Sequence, residues 1–77
     1  MHQKPSLGRI VLVTTPHVIN DQYEHAAIVT QVWDDETINV TVMPGIGTPF
    51  TVGTVSYNEA PNELTARSYS WRYPPRV

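Results

Sequence analysis

From residue 38 to 43 the chain alternates without a break: Ile38, Val40 and Val42 against Asn39, Thr41 and Met43. A period of two puts each set on one face of an extended strand. No segment of the 77 residues sustains a helical period, whereas Val, Ile and Thr are abundant. The chain is therefore built from strands. A domain of this length buries only about 60% of the surface its unfolded chain exposes, so its core is one thin layer. With no Cys it has no disulfide staple and no thiolate metal site. Small chains in that position often lean on self-association.

Turn chemistry divides the strands. Gly8–Thr14 reads as the first, followed by a loop from Thr15 to Gln22 that carries Pro16 and the turn-prone pair Asn20-Asp21. Glu24–Trp33 reads as the second, with Ala26, Ile28, Thr30 and Val32 on one face and Ala27, Val29, Gln31 and Trp33 on the other. Asp34-Asp35-Glu36-Thr37 makes a polar hairpin turn without the Asn-Gly or Asp-Gly signature. Pro44–Pro49 is a rigid connection to a fourth strand, Phe50–Tyr57. There Phe50 and Val52 share one parity and Val55 and Tyr57 the other, which a bulge at Gly53 reconciles. Asn58–Ala66 reads as a loop or a short helical turn around Pro61, and the aromatic tail Tyr69-Ser70-Trp71-Arg72-Tyr73 as the fifth strand. Alternation sets its three rings on one face.

Five short strands with a bulge predict an all-β fold, a small antiparallel SH3-like barrel spanning residues 1–77, with a flexible end over 1–6. Its expected core is Ile10 or Val11, with Ile28, Val40, Val42, Val52 and Val55. The tail pairs either within its own barrel or, with 58–66 as a hinge, in that of a neighbour. A homo-oligomer is expected.

Charge narrows the partners. A net charge of −2 and a pI near 5.8 argue against a nucleic-acid backbone as the main ligand, since that binding depends on Lys and Arg neutralising phosphates. No apolar run approaches the roughly 20 residues of a membrane span, and no signal-peptide core follows Met1. A cytoplasmic protein is expected, without a membrane partner.

Gly8-Arg9-Ile10-Val11, the block from Ala26 to Val32 with its acidic turn, and Trp71-Arg72-Tyr73-Pro74 resemble small proteins encoded by bacteriophages and prophages. Those carry a similar G-R-I-V start, A-A-I-V-T centre and tryptophan-proline ending. The resemblance implies a phage context inside a bacterial host and supplies no catalytic residue.

Enzymatic signatures are missing from the sequence: there is no Cys nucleophile, Gly-x-Ser-x-Gly elbow or phosphate-cradling loop. His17 and His25 flank a loop holding Asp21 and Glu24, but the spacing matches no standard metal motif. Neither a metal nor a cofactor is expected, and no catalytic residue is assigned. The candidate binding residues are Tyr23, His25, Tyr57, Arg67, Tyr69, Trp71, Arg72 and Tyr73. Aromatic rings stack on bases or proline-rich peptides, and arginines supply bidentate donors for phosphate or carboxylate. The same rings can also simply cover the core. The leading expectation is a non-enzymatic binding protein that sequesters a nucleotide second messenger of antiphage defence, a cyclic nucleotide or another phosphorylated ligand. The alternatives are a module that binds and inhibits a host protein, with Trp33 or Tyr73 exposed in an apolar patch, and a virion component.

Overall fold

The computed structural model describes residues 4–19, 22–59 and 68–74. Five strands, β1 (Ile10–Ile19), β2 (Gln22–Val32), β3 (Thr37–Met43), β4 (Phe50–Tyr57) and β5 (Ser70–Arg72), close in sequence order into one small SH3-like barrel. β5 pairs with β1 and β4 of its own chain. The barrel is not wholly antiparallel. Strand direction cannot alternate around a ring of five, so at least one neighbouring pair must run parallel. That pair is β4–β5, with Ser56 beside Ser70 and Tyr57 beside Trp71; the other four are antiparallel. A parallel neighbour obliges the chain to travel back along the barrel, which takes on the order of a dozen residues. Residues 60–67, where a loop or short helical turn is expected, lie outside the described residues.

Register breaks bend the strands. Two residues of β4, Gly53 and Thr54, lie opposite Asn39 alone between the pairs Val40–Val52 and Ile38–Val55. This is the expected bulge, and it brings Phe50, Val52, Val55 and Tyr57 to the core side. The left-handed backbone falls on Thr54 (φ 56°) rather than on the glycine. A second break at Thr30 interrupts β2 against β3. A third, longer one follows Thr14 in β1.

That third break corrects the loop expected from Thr15 to Gln22. β1 runs on to Ile19, which pairs with Gln22. Pro16 falls where the ladder is already broken, so its missing N–H costs no ladder bond. Thr15 is buried and holds the irregularity from inside, its hydroxyl 2.6 Å from the His17 carbonyl and 3.2 Å from that of Tyr23. Residues 1–3 of the end expected to be flexible lie outside the described residues; Lys4, Ser6 and Leu7 are exposed. Pro5 is buried, and the Ser6 carbonyl accepts the Arg9 N–H at 3.2 Å.

The core comprises Val11, Val13, Ala27, Val29, Ile38, Val40, Val42, Val55 and Trp71. Ile28 is not among them. It sits opposite Ile10 and Thr41 on the outer face, while Ala27 and Val29 face the inward Val42 and Val40. Both faces of β2 are apolar, so size misdirects the choice and only pairing with β3 decides it. Val52 packs on the core while remaining half-exposed.

Candidate functional site

The closing strand gathers three of the expected site residues. Tyr57 and Tyr73 each meet Trp71 edge-on, with ring centroids 4.9 and 5.2 Å away. Trp71 itself has no exposed surface. Its Nε1–H donates to the Glu36 carbonyl at 2.9 Å, an oxygen that also accepts the Tyr57 N–H at 2.8 Å. Trp71 thus ties β5, β4 and the β2–β3 turn together as a core residue. Tyr69 packs half-buried against the core. Burial pushes the phenols of Tyr57 and Tyr73 above their ordinary range, with Glu59 adding to the shift at Tyr57. The Arg9 guanidinium lies 5.5 Å from the centroid of the Tyr73 ring.

Arg72 is engaged as well. Its Nε and Nη2 donate to the two Glu24 oxygens at 2.7 and 3.0 Å. Arg72 lies beside Leu12 and Glu24 beside Thr14, so the pair straps across the outside of β1. These charge-assisted bonds hold the guanidinium above its ordinary pKa. His25 points inward and is buried. Because a carbonyl can only accept, its Nε2 carries the proton directed at Gln22 O, 3.1 Å away. Tyr23 stands apart on the β1–β2 hairpin, about half exposed. Arg67 lies outside the described residues.

The exposed counterpart of this cluster is at the β2–β3 turn. The Trp33 ring is 57% exposed, yet its Nε1–H is fixed to Asn39 Oδ1 at 2.8 Å. The same oxygen accepts the N–H of left-handed Thr54 at 2.8 Å, and Asn39 Nδ2 donates to Gln31 Oε1 at 3.4 Å. One amide therefore pins both the β4 bulge and the indole. The turn below is closed by Asp34, whose Oδ1 accepts the N–H groups of Glu36 and Thr37, each at 2.8 Å. Those two backbone donors hold its carboxyl below the ordinary carboxylate range. Three acidic residues, Asp34, Asp35 and Glu36, thus follow the ring directly, all exposed; Lys4 approaches Asp35 at 3.9 Å.

Asn39 and Thr54 are the functional candidates that sequence reasoning missed. Their signal was faint: an outward amide in the middle of a strand, opposite the one place where parity breaks. The chain matches no family model, no curated protein and no solved structure.

Proposed function

We propose that this protein is a non-enzymatic interaction module that grips a cationic segment of a protein partner at the β2–β3 turn. The observation that carries this reading is Trp33, a large exposed aromatic residue whose indole is nevertheless held in orientation by the Asn39 amide. An aromatic anchor that is already oriented loses little entropy on binding, and Trp is enriched among the residues that dominate interface energies. The acidic turn gives the site its selectivity. A Lys or Arg side chain lying on the indole gains a cation–π contact and meets the carboxylates of Asp35 and Glu36. If the phage resemblance reflects origin, the partner is a host protein.

A nucleotide pocket on the closing strand draws less support from this geometry. Trp71 has no exposed face to stack on a base, and Glu24 already occupies the Arg72 fork. The test is capture from host lysate with wild type, Trp33→Ala and Asn39→Asp side by side. A partner held by wild type and Asn39→Asp, lost with Trp33→Ala and weakened by salt supports the reading. Equal capture by Trp33→Ala removes it. A selective thermal shift with a cyclic dinucleotide, retained in Trp33→Ala, would restore the nucleotide reading.

A further inference from the structure

The acidic turn after Trp33 has a cation beside it, and that cation belongs to the same chain. Lys4 Nζ lies 3.9 Å from Asp35 Oδ1. The segment that carries Lys4 is held by its own bonds. The Ser6 carbonyl accepts the Arg9 N–H at 3.2 Å, closing a turn over Ser6-Leu7-Gly8-Arg9. Gly8 is the third residue of that turn and has φ 81°, the positive value a type II turn requires there. The turn is pinned to β2: the Gly8 N–H donates to the Val29 carbonyl at 2.9 Å, and the Val29 N–H to the Arg9 carbonyl at 3.0 Å. Pro5 is buried, which fixes the chain directly after Lys4. A residue before proline is confined to extended backbone, and this narrows where the Lys4 ammonium can reach. Arg9 lies at Tyr73 and Arg72 at Glu24; Lys4 is directed at the turn.

We propose, on the reading of this turn as a cation-gripping surface, that Lys4 is an internal competitor for it. A partner's Lys or Arg must displace Lys4 from Asp35 in order to bind. The two contacts have the same chemistry, a side-chain cation against an exposed carboxylate. The Lys4 and Asp35 side chains are 81% and 66% exposed, so their contact opens without disturbing the core. Exposed pairs of this kind are weak, and weakness suits a contact that has to yield. Partner affinity falls by the fraction of molecules in which Lys4 has left Asp35. For a pair of ordinary surface strength that is about a two- to sixfold reduction. The device also selects. A segment that lies on the Trp33 ring adds a cation–π contact and displaces Lys4 more readily than a lone cation does.

The test is a calorimetric titration of the full chain with acetylated, amidated pentalysine at low salt. Wild type should bind it, and Trp33→Ala should bind it more weakly. Lys4→Gln removes the ammonium from an exposed position and should bind about two- to sixfold more tightly than wild type. Lys4→Arg keeps the charge and should stay close to wild type. Losing a positive charge near an acidic turn would help a cationic peptide even without a contact, and a double-mutant cycle separates the two effects. Asp35→Asn should bind more weakly, and in that background Lys4→Gln should give no further gain. A gain of equal size in Asp35→Asn is general repulsion and overturns the proposal. Equal binding by wild type and Lys4→Gln also overturns it, while leaving the cation-gripping turn in place. If none of these proteins binds the peptide, the reading of the turn falls and the proposal with it.

Discussion

Trp71 and Trp33 make the same hydrogen bond from the same atom and end in opposite environments. Each indole N–H donates to a protein oxygen, at 2.9 and 2.8 Å, yet one ring is wholly buried and the other is 57% exposed. In the closing strand the bond satisfies a polar group that the core has taken from water, as burial demands. At the turn solvent could supply the partner, so the bond there fixes the direction of a ring that folding does not need. Aromatic density along the sequence marks the first region, and restraint of an exposed ring marks the second. Only the second has surface to offer a partner.

The largest test of this contrast is to delete each ring. Trp71→Ala should cost about 3–5 kcal/mol, the usual loss for a buried Trp, and leave a domain this small largely unfolded in urea titrations. Trp33→Ala should cost about 1 kcal/mol or less while removing partner capture. Similar losses at the two positions would mean that Trp33 is structural, and the comparison would fail.

Asn39 comes next in size. Asn39→Ala leaves the exposed Thr54 N–H to solvent and releases the indole, an expected loss of about 0.5–1.5 kcal/mol. Asn39→Asp keeps the accepting oxygen and should retain most of the stability. Acrylamide quenching, dominated by the exposed Trp33, should change in Asn39→Ala and stay close to wild type in Asn39→Asp. The bulge beside it gives a smaller effect of the opposite sign. A left-handed conformation costs a residue with a Cβ about 1–2 kcal/mol, so Thr54→Gly should raise stability by up to about 1 kcal/mol. Gly53 has no positive φ, and a Cβ there would meet Asn39 Oδ1 at an ordinary 3.5 Å. Gly53→Ala should therefore be nearly neutral, within about 0.5 kcal/mol. Were Gly53→Ala the damaging change, the strain would lie on the glycine.

What the sequence made legible follows from parity. β3 alternates cleanly and was readable residue by residue. The β4 bulge was readable because two apolar pairs disagreed in phase. β2 was not, since Ala26-Ala27-Ile28-Val29 is apolar on both faces and only the β3 partner selects Ala27 and Val29. The β1–β2 hairpin was hidden because Pro16 and Asn20-Asp21 are loop residues by chemistry, and a broken ladder is what admits Pro16 to a strand. The parallel closure was deducible: five strands in a closed ring cannot alternate in direction, so one neighbouring pair had to run parallel. At the site, alternation correctly set Tyr69, Trp71 and Tyr73 on one face but could not say that the face was the inner one. Arg72 was found as a fork for a carboxylate, and that carboxylate belongs to Glu24 of the same chain.

The smallest effect separates the two regions by pH. The turn rests on Asp34, whose backbone donors depress its pKa. Its contribution is present above the unfolded value near 3.9 and is lost as pH falls through the lower folded value. The closing strand rests on Tyr57 and Tyr73, whose pKa values are raised. Their neutral forms contribute fully below about pH 10, where the unfolded phenol ionises, and that contribution is lost as pH climbs through the higher folded values. Acid should therefore loosen the turn first and alkali the closing strand first. Fluorescence can distinguish them, because Trp33 reports on the turn and Trp71 on the strand. In Asp34→Asn the side chain still accepts both N–H groups but no longer titrates, so the acid limb should flatten while the alkaline limb stays. Tyr73→Phe should do the reverse. If both limbs moved together in either variant, the turn and the closing strand would be one cooperative unit, and the Trp33 surface would be fixed by the core rather than by Asn39.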